Sequence, residues 1–323
     1  MSEKILEVEN LKVNFLLPDS IVYAVRDASF DLKRNEIMGI VGESGSGKSV
    51  SCLSTLRLLP KKIKTEGKII IDGHNILEEE ESWVRKNIRG KKISMVFQDP
   101  TVALNPIYSI GWQMREALMF RKEKIGDSKK ETEFIINILD ELKVTDPEQV
   151  INKYPHQLSG GMKQRIVIAI ALLLQSDILI ADEPTTSLDV TIQHEVVEVI
   201  TRLKKDYEMS VIFISHDLNL LADYCDRMVV MYGGMVLEKG YTDEVYNNPK
   251  SPYTRALLKC IPPLTGNKKD FEPIPGEILN PRKVIQGCPF EPRCKKRKEK
   301  CGKEIPRLEK TGSERYIRCF YPD

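Results

Sequence analysis

The chain has 323 residues, 41% hydrophobic and 30% charged, which is the composition of a globular protein with room for one large domain and an appendage. Its 49 basic and 47 acidic residues leave a net charge of +2, so nothing in the balance points to nucleic acid as a main partner. The longest apolar run, Ile166–Leu174, falls well short of the ~20 residues of a membrane-spanning helix, and the charged N-terminus lacks a signal-peptide core. A cytosolic chain is expected, with its seven cysteines reduced.

Taken in order, Ile5–Leu17 and Ile21–Leu32 alternate imperfectly, as strands of a partly exposed sheet do. Glu36–Val41 is a short apolar strand. It leads into GESGSGKS, Gly42–Ser49, and a helical pattern follows. That is the G-x-x-x-x-G-K-[ST] arrangement in its required strand–loop–helix context. Its backbone N–H groups can curl around phosphate oxygens, because glycine lets the chain approach closely. Lys48 then reaches the outer phosphates, and Ser49 offers its hydroxyl to Mg²⁺. The bland alternative is a glycine-rich turn with an incidental lysine, and the flanking elements weigh against it.

Gly67–Asp72 and Ile93–Gln98 read as further strands, and a helical stretch runs from about Ser109 to Leu174. Gln98, closing its strand, is a neutral group able to reach Mg²⁺ or an attacking water. Within the helical stretch, LSGGMKQR, Leu158–Arg165, opens an apolar helix. Ser159 is a good N-cap, and Gly160 and Gly161 leave the helix's first N–H groups uncovered, so a second anion site is expected there. Asp177–Ala181 and Val211–Ser215 read as buried parallel strands, with a helix from about Thr191 to Lys205 between them. The first ends in two carboxylates: Asp182 to hold Mg²⁺ directly or through water, Glu183 to orient and deprotonate the water. The second ends at Ser215-His216-Asp217, where His216 can hydrogen-bond the terminal phosphate. Arg227–Gly240 reads as a hairpin turning at Gly233–Gly234. Prolines crowd the chain beyond Pro249, which sets a boundary near residue 250.

One nucleotide occupies two anion sites if each comes from a different subunit. GESGSGKS, Gln98, LSGGMKQR, ILIADEPTTSLD and SHD, in that order, resemble the ATP-binding cassette family over roughly residues 5 to 245. The resemblance implies a P-loop α/β cassette with a parallel core sheet, an antiparallel β subdomain and a helical subdomain at about residues 100–170. It further implies a head-to-tail ATPase dimer. In each subunit Gly42, Ser44, Gly45, Ser46, Gly47, Lys48, Ser49 and Val50 would bind ATP, while Ser49, Gln98 and Asp182 would hold Mg²⁺. Glu183, His216 and Gln98 would serve hydrolysis. Ser159, Gly160, Gly161 and Asp189 would reach the partner's nucleotide. An aromatic stacking on adenine is expected too. Phe15 fits the spacing best, in place of the family's usual Tyr, and Tyr23 is the alternative.

SPYTRALL (Ser251–Leu258), EPIPGE (Glu272–Glu277) and GCPFEPRC (Gly287–Cys294) are similar to the C-terminal extension of oligopeptide and dipeptide importer ATPases. This implies a cassette over 1–250 and an extension over 251–323. It also implies two permease subunits, a second related ATPase or a copy of this one, an external substrate-binding protein, and a peripheral place on the cytoplasmic membrane face. Nickel importers share much of the pattern. A soluble cassette ATPase acting on ribosomes or DNA, or a regulator that hydrolyses nothing, would show tandem cassettes or lack Glu183 and His216.

The extension holds Cys288, Cys294, Cys301 and Cys319, spaced C-x5-C-x6-C-x17-C. Structural zinc favours tighter pairs, and a [4Fe–4S] cluster tolerates wider loops. With few apolar residues around them, these four are expected to ligate a structural iron–sulfur cluster. Zinc and a flexible tail of free thiols are the alternatives.

Overall fold

The computed structural model describes residues 3–60, 62–121, 124–184, 190–260 and 273–323, with no side chains described at 190–192. The chain divides into two compact units, Met1–Glu79 with Ser215–Asp323, and Glu80–Ile214. The C-terminal segment belongs to the same unit as the first strands.

In the discontinuous unit, strand Lys4–Leu16 lies between the antiparallel strands Ile21–Lys33 and Ile63–Ile71. Leu6, Val8, Leu11 and Val13 point inward and are buried, and register shifts at Leu11 and Val13 explain the imperfect alternation of the sequence. Ile37–Val41 is buried along its whole length and runs parallel to Arg227–Tyr232. The latter turns through Gly233 and Gly234, at φ 55° and 79°, into Met235–Tyr241. Positive φ at both turn residues is the requirement that glycine meets without strain.

The extension is bound into this unit. Tyr316–Ile317 adds a strand to Glu238 and Lys239 of the hairpin. Glu238, fully buried, accepts hydrogen bonds from the N–H groups of Lys250 and Ser251, at 2.9 Å each, where the helix Pro252–Lys259 begins. Arg318 donates to the carbonyl of Val236 at 2.9 Å and to Asp27 at 2.8 Å. Tyr232, Tyr253 and Phe290 close a triangle of ring contacts, with centroids 4.7–5.4 Å apart. The sparse apolar content that suggested a self-contained, stapled tail has a partial explanation: Phe290 and Ile317 are buried on the hairpin, whereas Ile305 is exposed and Leu308 half-buried.

The other unit has a parallel sheet of Ile93–Val96, Ile178–Asp182 and Ser210–Ser215. Its helices include Ile110–Met119, Ser128–Glu141, Gly160–Leu173 and Val190–Asp206. The side chains of Ser109, Asp127 and Ser159 cap the first three. The apolar run at Ile166–Leu174 lies largely in helix Gly160–Leu173, where Ile166, Ile168 and Ala169 are buried. Among the described residues no helix is long and apolar enough to cross a membrane.

A buried ionic cluster joins strands of the discontinuous unit. Arg227 lies 3.1 Å from Asp31 and 3.3 Å from Glu36, and Lys239 stands 3.3 Å from Asp31. Burial pushes the Asp31 carboxyl up, but the Arg227 hydrogen bond and the charges of Arg227 and Lys239 more than reverse this, leaving it below the ordinary value. At Glu36 burial outweighs the Arg227 charge and the Lys33 N–H, and Asp31 adds repulsion, so its carboxyl is raised. Arg227→Met, which leaves Asp31 with Lys239 and Glu36 with only the Lys33 N–H, is expected to destabilise the protein by about 3–5 kcal/mol in denaturant titration. Asp31's stabilising contribution is complete above its unfolded value, near 3.8, and is lost as pH falls through the lower folded value. The stability gap between wild type and Asp31→Asn is therefore expected to narrow as pH drops from about 6 to about 3. Glu36, with its pKa raised, contributes in the opposite sense and is common to both proteins.

Candidate functional site

The phosphate loop follows directly from the buried strand Ile37–Val41. Its shape depends on glycine at two points. Gly42 has φ 155°, and a Cβ there would stand 2.1 Å from the Met231 carbonyl. Gly47 has φ 98°, and a Cβ there would meet the Ala24 carbonyl at 2.6 Å. Gly45, at φ 75°, opens onto empty space. The loop is stitched by Ser46 N–H to the Glu43 carbonyl (3.1 Å), and by Gly234 N–H to the Ser46 carbonyl (3.0 Å). Lys48 is buried, and its ammonium donates to the Gly42 and Glu43 carbonyls at 2.7 and 3.1 Å. The Ser46 hydroxyl is buried without a hydrogen-bond partner. Ser44 and Gly45 are exposed, and Ser49 and Val50 are half-buried at the start of helix Lys48–Thr55. A cradle of glycines, an orphaned hydroxyl, a cation and a helix N-terminus in one loop fit the phosphates of a nucleotide.

The two aromatic candidates point to opposite faces of their sheet. Tyr23 pairs with Asn14, and Phe15 with Val22, so the pleat separates them. Tyr23's ring is covered by the guanidinium of Arg26, 4.8 Å from its centroid, and it lines a pocket with Val284 and Ile285 of the extension. Its face is occupied, and Phe15 is the half-buried ring on the other side.

In the second unit, Asp182 is buried at the end of its strand, and Glu183 follows at φ 46°. Glu183 N–H donates to the Ile214 carbonyl, and its carboxylate accepts from the Gln98 side-chain amide at 2.9 Å. The structure thus brings Gln98 and Glu183 together. The left-handed backbone at Glu183 is a strained position for a non-glycine residue, a common mark of a functional site. Ser159 caps helix Gly160–Leu173 through its hydroxyl, which accepts from Met162 N–H at 3.3 Å. Ser159 and Gly160 are exposed and Gly161 is half-buried, and the position of a Cβ on Gly160 meets nothing within 4 Å, so the helix end is open. In the first unit, His216 is exposed directly after its strand, and Asp217 caps the helix Leu218–Tyr224. Asp189 lies outside the described residues.

Cys288, Cys294, Cys301 and Cys319 line one pocket, beside Leu237, Phe290, Lys296 and Arg318. Burial pushes the Cys288 thiol up to about 12, reinforced by the charges of the other three. Burial also raises Cys294 and Cys319. Backbone N–H groups two residues on, at Phe290, Lys296 and Tyr321, work the other way, each hydrogen-bonding a cysteine sulfur; Tyr321 N–H stands 3.4 Å from Cys319 Sγ. Among the described residues, no three His, Cys, Asp or Glu side chains already stand in metal-ligating geometry.

Two contacts of the loop gave no signal in the sequence. Tyr253 and Arg293, 210 and 250 residues away along the chain, both bond Glu43. Only the chain's return to the hairpin makes them neighbours.

Comparison with known proteins agrees with this geometry. Residues 25–186 match the family described as ABC transporter, and residues 237–301 match the oligopeptide/dipeptide transporter C-terminal region. The chain is 40% identical over 98% of its length to the oligopeptide transport ATP-binding protein OppD of Salmonella typhimurium, covering 94% of that protein. It is 41% identical over 99% of its length to the dipeptide transport ATP-binding protein DppD of Bacillus subtilis, covering 96% of it. Among solved structures, the dimeric cassette MJ0796 bound to ADP and Pi superposes with TM-score 0.65 at 25% identity, covering 73% of this chain and 98% of that one. CbiO1 of Clostridium perfringens, part of the transporter complex cbiONQ, superposes with TM-score 0.62 at 29% identity, over 76% and 92%.

A phosphate loop of this shape makes unequal demands on its glycines. Gly47→Ala is expected to weaken ATP binding at least about tenfold in calorimetry, since the Ala24 backbone must yield. Gly45→Ala, with open space around it, is expected to retain binding and to cost about 1–2 kcal/mol of stability from its positive φ.

Proposed function

Because the chain belongs to the ATP-binding cassette family of transporter ATPases, we propose that it is the ATP-hydrolysing subunit of a membrane importer for dipeptides or oligopeptides. The observation that carries this reading is the phosphate loop of Gly42–Ser49 in a chain whose relatives are named as peptide transport proteins over almost their whole length. The names of these relatives favour peptide cargo over nickel and over soluble action on ribosomes or DNA. The fold is the cassette fold, with mixed sheet and packed helices.

The residues then act as follows. The N–H groups of Ser44–Ser49 receive the β- and γ-phosphates, with the Ser46 hydroxyl freed to bond one of them. Lys48 leaves the Gly42 and Glu43 carbonyls for the phosphates. Phe15 stacks on adenine. Ser49, Asp182 and Gln98 would hold Mg²⁺, which would neutralise phosphate charge. Glu183 takes the proton of the attacking water once Gln98 releases it, and His216 holds the water and the terminal phosphate in line. Ser159, Gly160, Gly161 and Asp189 close over the partner's nucleotide, so binding joins two cassettes and hydrolysis parts them.

The partners follow from that cycle. Two permease subunits, a second cassette and an external binding protein complete the importer, with this chain on the cytoplasmic membrane face. A patch of exposed apolar side chains supports a docking role: Phe97, Val102, Ile107, Tyr108 and Trp112, in and after the segment holding Gln98. The extension over 251–323 is the peptide-importer type. Its four sulfurs line one pocket, which is the basis for reading it as a soft metal centre of the iron–sulfur class; burial holds these thiols protonated, so a metal would have to displace their protons. When bound, such a cluster would cross-link the loops that carry the four cysteines. It has no part in hydrolysis.

Glu183→Gln is expected to bind ATP as wild type does, while hydrolysis falls about 100-fold or more. ATP should then hold the variant in stable dimers, alone or with its partner cassette, visible by light scattering. Turnover within a few-fold of wild type would remove Glu183 from the role of base. The importer reading itself is tested by reconstitution with the permeases and binding protein. Peptide-stimulated ATP hydrolysis supports it, and stimulation by nickel alone overturns the cargo.

For the cysteine centre, protein purified without oxygen is expected to be brown, with about four irons and four sulfides per chain. Any of the four Cys→Ser changes should bleach it. One zinc and no iron would move the assignment to a Cys₄ zinc site, and neither metal after reconstitution would leave free thiols.

A further inference from the structure

Glu43 is an unusual passenger in a loop that must receive a triphosphate. It is the second residue of the phosphate loop, and an unneutralised carboxylate there opposes the incoming negative charge. The structure pairs it. Arg293 grips the Glu43 carboxylate with both terminal nitrogens, at 2.6 and 3.0 Å, and only 4% of the arginine side chain is exposed. The fork is held in turn. Its Nε donates to the Pro275 carbonyl at 3.0 Å, and its terminal nitrogens also reach the Ile274 carbonyl at 3.2 Å and the Tyr232 hydroxyl at 3.3 Å.

Main-chain ties complete the hold. Glu43 N–H donates to the hydroxyl of the fully buried Tyr253 at 3.0 Å. Ser46 N–H donates to the Glu43 carbonyl, which also accepts from Lys48. Both the side chain and the backbone of one phosphate-loop residue are therefore bonded to residues beyond 250. Arg293 comes from the short turn between Cys288 and Cys294, so the segment that carries the cysteines also carries the counter-charge of the phosphate loop.

We propose that Arg293 is a positioning residue for ATP. It masks the Glu43 carboxylate and, together with Tyr253, pre-forms the phosphate loop, so that the C-terminal extension sets this cassette's nucleotide affinity. The inference rests on Gly42–Ser49 being the phosphate site. It does not depend on what, if anything, the cysteines bind. A bidentate guanidinium–carboxylate pair resists salt screening and fixes direction as well as charge, which a lysine at the same place would do only in part. Two effects follow when the fork is lost. The carboxylate is exposed to the phosphates, and the loop must be ordered at the expense of binding.

The test is calorimetric titration of the full chain with Mg²⁺ and a non-hydrolysable ATP analogue, with circular dichroism as a check on folding. Arg293→Met is expected to weaken binding about tenfold, matching the loss of one charged hydrogen-bonding pair. Arg293→Lys should fall between that variant and wild type. The combined Glu43→Gln and Arg293→Met protein should recover to within about threefold of wild type, because removing the carboxylate removes the need for its mask. A structural defect alone would leave the double variant as weak as the single one. Lys48→Ala serves as the control for the site: it should lose binding whatever Arg293 does. If Lys48→Ala binds normally, the phosphate-loop reading fails and this inference with it. If Lys48→Ala fails to bind but folded Arg293→Met and Arg293→Lys bind within about twofold of wild type, or the double variant shows no recovery, only the role of Arg293 is overturned.

Discussion

The phosphate loop needs a backbone that turns its N–H groups inward over a few residues, and most of the first unit is arranged around that need. Such a path enters left-handed φ and leaves no room for side chains. The Met231 and Ala24 carbonyls stand where Cβ atoms of Gly42 and Gly47 would lie. The strands carrying them, Arg227–Tyr232 and Ile21–Lys33, can approach so closely only because those positions are glycine. Glycine also brings the largest loss of backbone freedom on folding. The loop offsets that loss with fixed partners: the hairpin turn at Gly234, the Tyr253 hydroxyl and Arg293.

This gives the C-terminal extension a place in the nucleotide site's architecture. Its residues do not form a separate core. They use buried charge to join the hairpin: Glu238 against Arg315 and two backbone N–H groups, Arg318 against Asp27, Arg293 against Glu43. Buried ion pairs contribute little net stability compared with apolar side chains of the same volume, but they are specific about partners. A segment fastened this way has one seat on the cassette.

The second unit shows a different kind of restraint. Glu183 stands on a strained backbone position with its carboxylate accepting from Gln98. The neutral amide fixes the direction of one carboxylate oxygen. Gln98 lies two residues beyond strand Ile93–Val96 and precedes the exposed apolar side chains of Val102, Ile107, Tyr108 and Trp112.

The sequence by itself determined the chemistry and the local elements. The phosphate loop, the Asp182–Glu183 strand end, the Ser159 cap and the Gly233–Gly234 turn are local solutions to local constraints. Each needs particular residue types at fixed spacing, and each lies where the pattern put it. The same reasoning located the four cysteines but mistook their surroundings. It counted the apolar residues of the tail alone, whereas Phe290 packs on Tyr232 and Ile317 pairs with Glu238, both on the hairpin Arg227–Tyr241. Only the tertiary structure decided that the tail packs with the first strands, that Phe15 and Tyr23 face opposite ways, and that Arg293 meets Glu43. These are long-range pairings, fixed by strand order, pleat and the burial of charge. No spacing rule along the chain encodes a contact across 250 residues.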